Sequence, residues 1–186
     1  MKNNFYTTVV LSLLLISCGG KKEKKNEQAI SAISIIKGQV NHLDTSLYQI
    51  MKYDMQNGRT DTSYLKREDV RSLAADFLSL PDISIKDYEK NYTEERLFDA
   101  QQNSFSITAT AKNEKMEIQK QIIIVPLDET AAGNVHSIYI DRLVQLKDSS
   151  IEQKLFWQID KYFQIGNIIQ VGNQPEKTKT LKVTWE

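Results

Sequence analysis

The chain has 186 residues, room for one ordinary domain and a short appendage, and its 24 basic side chains balance 24 acidic ones. Zero net charge argues against a nucleic-acid grip built on bulk charge, and 40% hydrophobic residues with only 7 Gly and 3 Pro exclude collagen-like or broadly disordered chains. Two His and one Cys exclude an intramolecular disulfide and most closed zinc sites, so neither a metal nor a cofactor is expected.

Residues 1–17 read as a leader. Lys2 supplies a positive start, and Val9 to Ile16, with Leu11, Leu13, Leu14 and Leu15, form an apolar run. That run is too short to span a bilayer, which takes about 20 helical residues. It ends in Leu15-Ile16-Ser17-Cys18, with small Ser17 just before the cysteine. This resembles the lipobox of bacterial lipoproteins, and the resemblance covers residues 1–18 only. It implies cleavage before Cys18 and attachment of lipid to its sulfur and its new amino group. The remaining chain would then carry no free thiol and a net charge of about −1.

Residues 18–28 follow as a tether. Gly19-Gly20 and then Lys21, Lys22, Glu23, Lys24, Lys25, Asn26, Glu27 and Gln28 offer nothing apolar to pack. In lipoproteins of this type Asp directly after the cysteine marks retention in the inner membrane. Gly19 stands there instead, so the resemblance favours the outer membrane. An acidic tract that would export the chain to the cell surface is absent, which favours a domain facing the periplasm. The look of the whole chain is similar to small uncharacterised lipoproteins of Bacteroidota, a resemblance that names no activity.

Residues 29–186 read as a single domain. Ile30, Ile33, Ile36, Val40 and Leu43 recur at helical spacing, and Asp44-Thr45-Ser46 predicts the break. Leu47 to Asp54 then reads as a strand, Asn57-Gly58 as the pair a type I′ hairpin turn demands, and Arg59 to Tyr64 as the returning strand. Val70, Leu73, Ala74, Phe77 and Leu80 predict a second helix, capped by Thr62 or Ser63 and stopped by Pro81. Ser84 to Asp87 has capping-box form and opens a short helix through Tyr92, with a loop as the alternative for Tyr92 to Arg96.

From Asn103 the period drops to two. Phe105 to Ala111, Met116 to Val125, Val135 to Leu146, Ile151 to Ile159, Phe163 to Val171 and Thr178 to Trp185 read as strands, with a loop over Asp128 to Asn134. The expected fold class is therefore α+β: N-terminal helices packed on a mainly antiparallel, about six-stranded meander sheet, with a half-open barrel as its curved form.

Catalytic signatures are missing. No glycine-rich phosphate loop, nucleophile elbow or paired metal-ligand spacing occurs, and Asp54 to Gly58 lacks the acids of a calcium loop. His42 falls near a helix end, where a cation suits the macrodipole, and strand parity points His136 away from Ser137. Asp82 and Asp87, near the Pro81 turn, are the carboxylates an enzyme would have to use, and their spacing demands no such role.

One pattern stands out on the apolar parity of two strands. Met116, Ile118, Lys120, Ile122 and Ile124 contain one lysine, and Ile138, Ile140, Arg142, Val144 and Leu146 one arginine. Each must find a carboxylate, reach solvent or meet an anionic ligand, because an unpaired buried charge is costly. A concave sheet holding an amphiphile would place Lys120 and Arg142 on its head group and Trp157 along its tail. A bulge that shifts parity, or an internal ion pair, would satisfy the same residues without a ligand.

Function therefore divides into classes. The leading expectation is a membrane-tethered envelope lipoprotein that works as a non-catalytic binding or interaction module, with an unidentified envelope protein as partner. The alternative is a carrier of an apolar or anionic amphiphile. Outer-membrane lipoprotein acceptors and lipocalin-like lipoproteins tether a curved sheet in this way, although no motif ties this chain to either. A hydrolase comes last.

Overall fold

The computed structural model describes residues 30–127 and 134–186. The leader, Cys18 and the tether over 18–28 lie outside the described residues, as does most of the loop expected over Asp128 to Asn134.

Helix α1 (Ala32–Thr45) starts at Ser31, whose side-chain oxygen accepts the Ser34 N–H at 3.1 Å. That is the N-cap arrangement, which satisfies an otherwise orphaned donor. The apolar stripe Ile33, Ile36, Val40 and Leu43 is buried along its whole length. At the other end the Thr45 and Ser46 hydroxyls donate to the carbonyls of His42 and Leu43 and close the helix.

The second helical stretch is broken in two, α2 (Arg67–Leu73) and α3 (Ala75–Leu78), at Ala74. It starts after Lys66 with no side-chain cap, because Ser63 and Thr62 belong to the preceding strand. Only one turn of α4 (Lys86–Glu89) forms after Pro81.

Asp82 clamps this turn to α1. Its carboxylate accepts from the Ser31 hydroxyl at 2.5 Å and from the Ser84 hydroxyl and N–H at 2.7 and 3.0 Å. Burial raises the carboxyl pKa, but those hydrogen bonds and the Lys37 charge outweigh it and leave it below the ordinary value. A depressed folded-state pKa stabilises the fold above the unfolded value and loses that effect as pH falls through the folded one. Urea titrations of the wild type should therefore lose stability below about pH 4, and Asp82→Asn should show a shallower loss there. Equal slopes for the two proteins would remove Asp82 from the account.

Nine strands among the described residues make one antiparallel sheet: β1 (Ile50–Gln56), β2 (Arg59–Leu65), β3 (Tyr92–Asp99), β4 (Ser104–Ala111), β5 (Ile118–Pro126), β6 (Ser137–Gln145), β7 (Ser149–Gln158), β8 (Tyr162–Val171) and β9 (Lys177–Trp185). Their order is β2-β1-β9-β8-β7-β6-β5-β4-β3. The β1–β2 turn has Asn57 and Gly58 at φ 52° and 73°, as a type I′ turn requires.

This overturns the α+β expectation of helices on a six-stranded meander. Strand occupies 51% of the described residues against 19% helix, and the helices are short. Two additions account for the difference. The early hairpin pairs onto the last strand, from Ile50 opposite Trp185 to Gln56 opposite Lys179, and the Tyr92–Arg96 stretch is part of a strand on the far edge. The sheet is open, with β2 and β3 as its edges.

One face of the sheet carries the helices. Two rows of cross-strand partners form its dry centre, Ile138–Trp157–Phe163–Val183 and Ile140–Leu155–Ile165–Leu181. Phe77 of α3 meets Trp157 and Phe163 edge-on, with ring centroids 5.1 and 5.7 Å apart. The next row is polar in every position: Arg142, Gln153, Asn167, Lys179, Gln56 and Arg59 are successive partners across six strands. The apolar core ends there: Arg142, Gln153 and Asn167 hydrogen-bond to one another, and the charged and amide groups beyond them reach water.

Candidate functional site

The structure separates the three residues that the sequence grouped. A bulge between Ile118 and Lys120 shifts the register of β5, so Ile118, Gln121 and Ile123 face the helices and Lys120 faces away. Lys120 stands opposite Asp141 on the open face of the sheet. There Asp141 takes the Tyr139 hydroxyl at 2.5 Å and Lys154 Nζ at 2.8 Å. Burial, then the bond to Asp141, pushes the Tyr139 phenol up to about 12, and its bonds to Asp141 and Glu152 raise the pKa of Lys154.

Arg142 does lie on the helix side, and it is paired. Its Nε donates to Glu117 at 2.8 Å, its Nη1 donates to Gln153 at 2.9 Å, and Asp76 lies 3.6 Å from Nη1. Gln153 in turn donates to Asp76 and Asn167 at 3.1 and 2.8 Å. Trp157 is fully buried and stacked on Phe163 at 4.9 Å, with no hydrogen-bond partner for Nε1 among the described residues. Lys120, Arg142 and Trp157 therefore do not converge on a site: the first points the other way, the second is neutralised and the third is core.

A different place on the helix side does form a concavity. Between β3, β4 and β5 and the segment Ile83 to Lys90 lies a cleft of about 660 Å³, within the range of about 300–1,000 Å³ usual for small-molecule sites. Ile107, Ala109 and Ile123 form its floor, with Ile30 and Ile83 on its walls. Lys86, Lys90, Lys112 and Arg96 stand on its rim with Glu89 and Glu94.

Three details define its chemistry. Arg96 Nε donates to Glu94 at 2.8 Å, which pairs those two charges with each other. Lys112 Nζ donates to the Lys90 carbonyl at 2.8 Å and draws the α4 segment to the end of β4. Gln121 lies in the floor, 6% exposed as a residue, and its side-chain amide pairs with no protein group among the described residues but reaches the water of the cleft. Beside it the Tyr92 hydroxyl donates to the Ile118 carbonyl at 3.1 Å, and burial pushes that phenol up to about 12.

Sequence reasoning missed this cleft. Its floor depends on the bulge in β5, its wall on β3, and its rim on where α4 docks, and none of these has a periodic signature. The alternation Ile107, Ala109, Ala111 in β4 was the one part that pointed to it.

Other candidates remain scattered. His136 Nε2 lies 2.9 Å from Gln158 Nε2, and the His42 ring meets Tyr48 edge-on at 5.9 Å. Among the described residues no three His, Cys, Asp or Glu side chains gather to hold a metal ion, and no helix is long and apolar enough to cross a membrane. Comparison with known proteins finds no family model, no curated protein and no solved structure that matches the chain.

Proposed function

We propose that this chain is a lipid-anchored envelope protein whose folded domain is a binding module, and that it binds through the cleft between β3–β5 and the α4 segment. The observation that carries this reading is the make-up of the cleft: an isoleucine-rich floor, the Gln121 amide in that floor paired with no protein group among the described residues, and a rim rich in lysine. Pockets that take small molecules combine an apolar lining with a few convergent polar groups in this way. Anchoring at Cys18, placement at the outer membrane and a periplasmic orientation follow from the lipobox-like leader and Gly19, and stand as part of the same proposal.

Two measurements test it. Cys18→Ala should abolish fatty-acid labelling and move the protein from the membrane to the soluble fraction; unchanged labelling would sink the anchor. Among the described residues every buried apolar residue of the core lies between Ala32 and Trp185, so a chain beginning at Gly19 retains that core. Native mass spectrometry of the full chain, isolated gently from its membrane, and of the soluble chain beginning at Gly19 should show a bound small molecule that Ala109→Trp removes by filling the floor. A bound mass indifferent to Ala109→Trp would place binding elsewhere. Bound protein subunits in its place would leave a partner-binding module.

A further inference from the structure

We infer that the ligand of this cleft is an acyl amphiphile with an anionic head, its chain lying along Ile107, Ala109 and Ile123, a polar group next to the chain on Gln121, and its head among Lys86, Lys90 and Lys112. The inference rests on the reading of the cleft as the binding site and adds the chemistry of what enters it.

Three observations select that chemistry. The floor consists of aliphatic side chains on neighbouring strands, Ile107 opposite Ile123 and Ala109 opposite Gln121. A sugar or nucleotide would bury its hydroxyls against that surface without partners, which is unfavourable. A plain hydrocarbon fits the floor but would cut the Gln121 amide, which pairs with no protein group among the described residues and reaches the water of the cleft, off from that water and leave its donors and acceptor unmet. A carboxyl, ester or amide adjoining an alkyl chain satisfies both surfaces at once.

The rim fixes the sign of the head. With Arg96 and Glu94 paired to each other, the remaining rim charges are Lys86, Lys90 and Lys112 against Glu89, an excess of two positive charges. Lys86 and Lys90 make no ion pair among the described residues. A carboxylate or phosphate at this end meets donors already in place, and charge-assisted hydrogen bonds are the stronger kind.

Location agrees with this source. Ile30, the first described residue, is itself on the cleft wall. Eleven residues lie between it and Cys18, a reach of about 40 Å when extended. If Cys18 is anchored, the mouth of the cleft stays within one tether length of the bilayer, where acyl amphiphiles are found.

The test uses the chain beginning at Gly19 and two fluorescent probes, cis-parinaric acid and its uncharged methyl ester, with thermal unfolding of each variant as a control for folding. The acid should bind and enhance in fluorescence, and the ester should bind about tenfold more weakly, as expected for lost charge-assisted bonds. The combined Lys86→Glu, Lys90→Glu and Lys112→Glu variant should weaken the acid by about tenfold or more and leave the ester unchanged. Gln121→Leu should weaken both by about fivefold, the loss of one hydrogen bond.

The outcomes separate the two claims. Equal binding of acid and ester, with no effect of the lysine substitutions, overturns the anionic head while Ala109→Trp can still show that the cleft binds. Failure of both probes, with a natural bound mass still removed by Ala109→Trp, overturns the amphiphile and keeps the cleft. Probe binding unaffected by Ala109→Trp overturns the cleft itself, and this inference with it.

Discussion

Phe77→Ala is expected to lower the free energy of unfolding by about 3–5 kcal/mol, the cost of deleting a fully buried aromatic ring that its surroundings cannot replace. The ring is fully buried and is the buried residue of the one-turn helix α3. It stands edge-on to Trp157 of β7 and Phe163 of β8, at interplanar angles of 88° and 76°. Those two rings belong to the central row of the sheet, and Trp157 also touches Trp185 of β9 at 5.8 Å. Truncation would therefore open a cavity where three strands and the helical layer meet. Rigid β-strand backbone on one side and short, weakly capped helices on the other give that cavity little freedom to collapse. Phe105→Ala is the matched control. Its ring is 39% exposed on a strand next to the edge, so its loss should cost under about 1.5 kcal/mol. Urea titration of both variants by near-ultraviolet circular dichroism gives the comparison. Equal losses would mean that Phe77 does not join the helices to the sheet.

The sheet explains why part of this fold was legible in the sequence. Helix α1 announced itself because one stripe of Ile, Val and Leu must be buried while the rest faces water, and that requirement imposes the 3.6-residue period. The β1–β2 hairpin was legible from Asn57-Gly58, since few other pairs accept two positive φ values in succession. The strands from Phe105 onward alternate because one face is dry. Strand β3 does not alternate. Tyr92–Asp99 is an edge strand exposed along all but its first residue, so nothing selects apolar residues at every second position, and its charges also discourage edge-to-edge pairing. Pairing of β1 with β9 joins residues more than 120 positions apart. No local pattern encodes such a contact, and without it the hairpin reads as a separate element.

The site was less legible, for a reason that sits in one residue. Alternation assigned Lys120 to the dry face by counting in twos from Met116. The bulge beyond Ile118 adds one residue to that count and exchanges the faces of everything after it. Ile122, Ile123, Ile124 and Val125 are all apolar, so the strand carries no alternation of its own that would expose the slip. Counting in twos puts Gln121 on the opposite face from Lys120, the solvent side, although it forms part of the cleft floor. Arg142, with no bulge in its strand, was assigned to the correct face, and only its partners were invisible. Glu117 and Asp76 come from a turn and a short helix whose positions follow from tertiary packing.

Arg142→Ala is expected to cost about 2 kcal/mol in stability and to leave parinaric acid binding unchanged. The guanidinium is 14% exposed, and it links Glu117, Asp76 and the buried Gln153 in one network. Removing one partner of a buried charge pair costs about 3–5 kcal/mol. Here both carboxylates are more than two-fifths exposed, so water can solvate them once the arginine is gone, and the expected cost falls accordingly. Gln153 keeps its bonds to Asp76 and Asn167 but loses one acceptor contact. Arg142→Lys should recover less than half of the loss, because an ammonium cannot reproduce the fork that reaches Glu117 and Gln153 together. The same variant separates two roles for a cation on the dry side of a sheet. A residue that holds a ligand head group loses affinity when truncated and changes stability little, whereas a residue that closes the polar border of the core does the reverse. Loss of probe binding by Arg142→Ala with unchanged unfolding would return the head group to β6 and away from the lysine rim of the cleft.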